Sequence, residues 1–374
     1  MAFSNKPILL FWETTRACPL HCVHCRADAI ENPLPGELST AEGKNLIDQV
    51  TAFGKPAPVI VFTGGDPLKR DDLYELLAYA AGKGIGFAVS PAVSQFLTGE
   101  ALEKLKRSGA ASISVSLDGA KKETHDGIRQ LEGTYERTIS VVRQAMEVGL
   151  PVQVNTTVMK QNVTELPVMF EQLMALGIKV WEVFFLIKAG RGRGVDDLTP
   201  SECESVCNFL YDVSKCGMVV RTVEAPFIRR VAKRREHADY WMEDELYLKM
   251  RSELDAFGYR PVAPSTIKPI GTLDGDGIMF VSYDGTISPG GFLPLGVGNV
   301  KNGNIVDVYT KNELFVNIRE RRLDGPCGTC AFKSECGGSR ARAYAYYGNP
   351  LGPDPACFYM QSLENRAKGK SKGK

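Results

Sequence analysis

The stretch Ile8-Leu-Leu-Phe-Trp-Glu-Thr-Thr15-Arg-Ala-Cys18-Pro-Leu-His-Cys22-Val-His-Cys25 decides how the rest of the chain is read. Its first half is a near-continuous apolar run, the pattern of a strand buried on both faces of a parallel sheet. Its second half breaks that run with three thiols spaced Cys-x3-Cys-x2-Cys. A loop at the C-terminal end of such a strand is where α/β sheets place their ligands. Working outward, similar runs recur at 58–63, 86–90, 112–117, 152–158, 180–187 and 218–223. Amphipathic stretches separate them and open on helix-start signals, among them Ser39-Thr40-Ala41-Glu42 and Thr199-Pro200-Ser201-Glu202. Repeated β-then-α units imply right-handed crossovers and a parallel sheet. Six or seven units fall short of the eight that close a barrel. Residues 1–225 therefore read as an open, partial (β/α)6 TIM-type barrel in an α/β chain.

The pattern changes after residue 225. Residues 226–270 form a charged helical linker that ends in an irregular stretch marked by Pro261, Pro264 and Pro269. Residues 278–288 predict an antiparallel hairpin turning at Tyr283-Asp284-Gly285. They open a small α+β domain over 271–360. The basic tail, 361–374, is of low complexity and reads as disordered.

The 374 residues carry 45 Lys+Arg against 44 Asp+Glu. This balance gives no general attraction to nucleic acid or to an anionic membrane. No apolar run approaches the roughly 20 residues a bilayer span needs, and the N-terminus lacks the apolar centre of a signal peptide. The expectation is a cytoplasmic protein with neither a membrane nor a nucleic acid as partner. Ten cysteines are out of place in a reducing compartment, and seven of them fall into two tight groups.

In the first group, Cys18, Cys22 and Cys25 leave one position of a metal site open. Zinc would need a fourth ligand such as His21 or His24. A four-iron cluster on three thiolates would keep one iron free for a substrate. With its place after strand one, this spacing closely resembles the signature of the radical S-adenosylmethionine enzymes. The resemblance implies that the free iron chelates S-adenosylmethionine, and that reduction cleaves it to methionine and a 5′-deoxyadenosyl radical. It also implies a reductant such as flavodoxin or ferredoxin. Further landmarks sit at successive strand ends. Gly64-Gly65-Asp66-Pro67, with Asp66 where the family usually has Glu, would receive the methionine amino group. Ser116 and Asp118 would face ribose and carboxylate, and Asn155 and Thr157 would face the cofactor. His24 would pack near adenine, and Arg129 could pair with the methionine carboxylate. Each landmark alone is an ordinary turn or strand cap. His125 reads as a capping or surface histidine.

The second group, Cys327-x2-Cys330-x5-Cys336-x20-Cys357, supplies four thiols, enough to close a zinc site or a four-iron cluster. Beside a radical S-adenosylmethionine barrel, the pattern resembles the SPASM or twitch extension. Gly290 and Ser339 stand where a full extension has further cysteines. The resemblance therefore implies one auxiliary cluster and two [4Fe-4S] clusters in all. With no open iron, the auxiliary cluster suits electron transfer rather than substrate ligation. Cys203, Cys207 and Cys216 read as packing residues.

Cys22-Val-His-Cys25-Arg26-Ala27 and Cys336-Gly-Gly-Ser-Arg-Ala-Arg-Ala-Tyr344 resemble the heme-biosynthetic branch of that family: coproheme decarboxylase, siroheme-derivative deacetylase and the heme d1 enzyme. This implies an iron-tetrapyrrole substrate. The same architecture also hosts enzymes that modify or cross-link ribosomal peptides. Arg191, Arg193, Arg229 and Arg230 could grip propionates, although a basic run is more often a solvated face.

Overall fold

The structure is a computed structural model, and it describes residues 3–236, 242 and 244–361. The basic tail beyond residue 361 lies outside the described residues. Seven parallel strands form the barrel wall: β1 (Leu9–Glu13), β2 (Val59–Thr63), β3 (Phe87–Val89), β4 (Ile113–Ser116), β5 (Val152–Val158), β6 (Val180–Phe185) and β7 (Val219–Val223). They pair strictly in chain order from β1 to β7. The helices between them begin where the sequence signals placed them. Ser39 and Thr199 each form a capping box, with Glu42 and Glu202 respectively. Each box satisfies backbone N–H groups that the first helical turn leaves unpaired.

Among the described residues, four further strands follow: β8 (Leu273–Asp274), β9 (Gly277–Val281), β10 (Thr286–Ser288) and β11 (Gly298–Asn299). The expected hairpin is present, since β10 runs antiparallel to β9. Its placement was not legible in the sequence: β9 lies parallel to β1, with Leu9 opposite Ile278. The barrel sheet thus continues without a break into the C-terminal segment, and the eleven strands of the described residues share one sheet. The loop after β1 consequently lies between the barrel and the cysteine-rich C-terminal segment.

Burial alternates along the strands rather than holding on both faces as expected. On β5, Val154, Thr156 and Val158 are buried against the helices while Gln153, Asn155 and Thr157 are half-buried on the other face. On β6, Trp181, Val183 and Phe185 are buried while Glu182 and Phe184 are half-buried. Strands are buried on both faces only where something fills both sides. Here the half-buried set forms the inner face of the barrel. The charged stretch after β7 forms two helices, Ile228–Arg235 and Glu245–Ala256. Cys203, Cys207 and Cys216 lie in the main core, as small hydrophobes do. Among the described residues, no helix is long and apolar enough to cross a membrane.

Candidate active site

Cys18, Cys22 and Cys25 come together on the loop after β1. Cys18 and Cys22 are buried and pack with Leu20 and Ala29, and Cys25 lies against the same group. Two neighbouring segments hold this loop. The Gly64-Gly65-Asp66 turn after β2 packs on its stem: Gly65 N–H donates to the Thr15 carbonyl and Asp66 N–H to the Ala17 carbonyl, both at 2.7 Å. A Cβ on Gly64 would stand 2.5 Å from the Thr15 oxygen, and one on Gly65 would overlap the Ala17 carbonyl. The glycines therefore serve the approach of two backbone segments. Asp66 is fully buried. It accepts from the Ser94 hydroxyl at 2.7 Å and from the N–H groups of Leu68 and Ala92, which ties the end of β2 to the segment after β3. Pro67 opens the short 3-10 turn that follows.

The second support comes from the loop after β6. Arg191 donates to the Cys22 carbonyl and the Ala29 carbonyl, both at 2.9 Å. Its own N–H donates to the Cys25 carbonyl. Arg191 is thus a clamp on the cysteine loop, and Arg193 beside it is exposed.

A charged group stands next to Cys22. Arg129 pairs with Asp118 and donates to the Cys22 sulfur at 3.6 Å. Burial works against the Asp118 charge, but Arg129 and the two neighbouring histidines outweigh it and hold the carboxyl below its usual range. Asp118 also accepts from Thr157 N–H at 2.7 Å, fixing the end of β4 to β5. His24 Nε2 lies 3.8 Å from Asp118. Burial pushes the His24 pKa down to about 4, so the ring is neutral near pH 7 and this approach is not an ion pair. His125 is buried, not on the surface as expected. Its Nδ1 accepts from Asp118 N–H at 3.0 Å, and burial lowers its pKa to about 4.

Two buried polar atoms without partners lie here, His24 Nδ1 and Arg129 Nε. Ser116 and Arg129 line a hollow of about 240 Å³, mouth included, together with Leu20 of the cysteine loop. Ser116 stands opposite Asn155 in the sheet. Three thiols on one loop, orphaned polar atoms and an adjoining hollow fit a thiolate-bound cluster with a polar organic ligand beside it.

Cys327, Cys330, Cys336 and Cys357 ring a second hollow of about 380 Å³, mouth included. Three of the sulfurs receive backbone N–H groups at 3.4 Å: Cys327 from Asp354, Cys330 from Phe332 and Cys336 from Gly338. Burial raises the Cys327, Cys336 and Cys357 thiols, Cys336 to about 12 and Cys357 to about 11, so these three ionise readily only with a cation among them. Among the described residues, no three His, Cys, Asp or Glu side chains converge tightly enough to hold a single ion. The four sulfurs surround a space rather than a point.

Arg230, buried, is bound bidentately to Glu204 and also lines this second hollow. Arg229 donates to the carbonyls of Glu335 and Thr272. The basic helix is therefore neither a solvated face nor a free anion grip: Arg229 and Arg230 tie the C-terminal segment to the barrel. Gly290 adjoins Asp274, and Ser339 donates to Glu224. A carboxylate, Asp274 or Glu224, adjoins each of the two places where further cysteines were expected.

The model of the radical SAM superfamily matches residues 12–173. Nearly the whole chain aligns with the AdoMet-dependent heme synthase of Methanosarcina barkeri, at 34% identity over 96% of this chain and 98% of that one. The chain belongs to the radical SAM superfamily. It is an iron–sulfur, S-adenosylmethionine-dependent enzyme. The AdoMet-dependent heme synthase of Nitratidesulfovibrio vulgaris is 35% identical over 94% of this chain and 92% of its own. Among solved structures, Streptococcus suis SuiB bound to its precursor peptide SuiA superposes with a TM-score of 0.68 at 16% identity, over 95% of this chain and 76% of that one. At that identity the likeness concerns the fold alone.

Proposed function

We propose that this enzyme oxidises the side chain of an iron-tetrapyrrole heme precursor and that its seven grouped cysteines hold two four-iron clusters. The observation that carries the substrate class is the near end-to-end similarity to heme synthases. The ring of four thiols around a hollow supports the second cluster. When bound, the first cluster and S-adenosylmethionine supply a 5′-deoxyadenosyl radical for hydrogen abstraction, and the second gives the electron from product formation a place to go.

The chain's own residues then have defined tasks. Cys18, Cys22 and Cys25 ligate the first cluster, and Arg191 with Gly64 and Gly65 fixes their loop. Arg129 sets a positive charge beside Cys22, and Asp118 keeps that guanidinium in place. Ser116 lines the adjoining hollow with Arg129, and S-adenosylmethionine binds from there along the strand ends that carry Asn155 and Thr157, with His24 nearby. Cys327, Cys330, Cys336 and Cys357 ligate the auxiliary cluster. A flavodoxin or ferredoxin is the expected reductant.

Anaerobic reconstitution tests the cofactors: about eight irons with matching sulfide are expected, and about four after Cys18, Cys22 and Cys25 are replaced by Ala. Stoichiometric zinc at the four-thiol site would remove the second cluster. Incubation with iron coproporphyrin and S-adenosylmethionine under reduction tests the substrate. Loss of carbon dioxide from a propionate is expected. Turnover of a small peptide with no change in the porphyrin spectrum would move the assignment to peptide modification.

A further inference from the structure

None of the four arginines read from the sequence as anion grips is free on the lumen wall: Arg191, Arg229 and Arg230 bind inside the protein, and Arg193 lies on an exposed loop. A different arginine faces the lumen. The sheet register places Ser116 of β4, Asn155 of β5, Glu182 of β6 and Arg221 of β7 in one row across four neighbouring strands. Residues in one register row of a sheet point to the same face. Their neighbours Val154, Trp181 and Val220 are buried against the helices, so the row faces the lumen. It starts at the hollow beside Cys22, which Ser116 lines, and ends at β7, the open edge of the sheet.

A hydrogen-bond chain runs along this wall. Arg221 donates to Gln153 Oε1 at 3.1 Å, reaching past β6. Gln153 Nε2 donates to Glu182 at 3.0 Å and to Asn155 at 2.9 Å. The glutamine thereby holds both side chains in place with its two ends. Among the described residues, Arg221 makes this one hydrogen bond and no ion pair, and it is exposed. One level further along the strands, Thr157, Phe184 and Val223 stand in register. Phe184 meets Phe292 of the C-terminal segment at 6.2 Å between ring centres. An apolar, aromatic surface shared with the C-terminal segment thus adjoins a cation with donors to spare, on the wall that leads to the cofactor hollow.

We propose that Arg221, oriented by Gln153 and flanked by Glu182, is a substrate-positioning residue that pairs with a carboxylate on the rim of a flat, apolar substrate lying against Phe184 and Phe292. Arginine suits this because its planar fork meets a carboxylate with two parallel hydrogen bonds. The proposal rests on the tetrapyrrole reading above, whose substrates carry propionates on an aromatic macrocycle.

The test is a spectrophotometric titration of the reconstituted enzyme with iron coproporphyrin, followed at the Soret band. It compares wild type, Arg221→Gln and Arg221→Lys. A charge-assisted pair is worth a factor of about 10–100. Arg221→Gln should weaken binding by about that factor, with Arg221→Lys in between. The tetramethyl ester of the same porphyrin should bind wild type and Arg221→Gln alike. S-adenosylmethionine binding and the thermal midpoint should not move. Equal affinity of wild type and Arg221→Gln for the free acid overturns the assignment and leaves the tetrapyrrole reading intact. No binding of iron coproporphyrin to wild type removes both.

Discussion

The Asp274 carboxylate fills the space that any side chain at position 290 would need, so that a Cβ on Gly290 would overlap it. Asp274 in turn adjoins Glu224, and burial together with that neighbour drives its pKa up. Two acidic groups so placed share a proton rather than both carrying charge. The absence of a cysteine at 290 is thus part of a rebuilt polar cluster, to which Ser339 contributes a hydroxyl bound to Glu224.

Gly290→Cys should therefore fail to create a new iron ligand. Overpacking of a filled interior costs about 1–3 kcal/mol, so the thermal midpoint should fall while the iron content of reconstituted enzyme stays at the wild-type value. A rise in iron by a further cluster would show that the site is merely missing its thiols.

Gly65→Ala tests whether the turn after β2 supports the cysteine loop. The added methyl meets the backbone of Ala17, which cannot swing aside as a flexible side chain would. The variant should lose about 1–3 kcal/mol and retain less iron at Cys18, Cys22 and Cys25, with the four-thiol site unaffected. Separate iron counts on the variant, with and without Cys327→Ser, distinguish the two sites.

The barrel was legible because its signals are local: apolar runs with the spacing of strands, and capping boxes at Ser39 and Thr199. The cysteine groups were legible because ligand spacing is written along the chain. What stayed hidden depends on partners far apart in sequence. Nothing local at Arg191 says that it will donate to the Cys22 carbonyl, or at Arg230 that it will meet Glu204. Arg221 read as a strand residue, because only the pairing of three strands puts it beside Gln153 and Glu182. Asn155 and Thr157 were read as facing the cofactor, but Gln153 was missed for a related reason: a polar residue between Val152 and Val154 marks one face of a strand without saying which side chains on other strands it will meet.

The Arg129–Asp118 pair gives a third prediction. Asp118 is fully buried, and removing one partner of a buried pair leaves a charge without compensation, at a cost of about 3–5 kcal/mol. Arg129→Met should be destabilised by that order, and Arg129→Met combined with Asp118→Asn by clearly less than the sum of the two single changes. Denaturant unfolding of the four proteins forms the cycle. Additive losses would show that the two residues act independently.

A fourth prediction concerns pH. Burial, assisted by the Arg129 charge, holds the His125 pKa near 4 against an ordinary 6.5, with Asp118 and Asp126 opposing. Between about pH 6.5 and 4 the unfolded chain takes up a proton that the folded chain refuses, so stability falls as the solution is acidified through that window and is unaffected above it. His24 contributes in the same direction. His125→Gln keeps a side chain able to accept from Asp118 N–H but cannot titrate. It should start less stable at pH 7.5, because the fit at Asp118 is altered, and then lose less than wild type on going to pH 5. The limiting slope for one proton is about 1.4 kcal/mol per pH unit, large enough to read from denaturant midpoints. Parallel profiles for wild type and His125→Gln would mean that the ring takes up its proton as readily in the folded chain as in the unfolded one. The Asp118 amide would then lose its acceptor at Nδ1 on acidification.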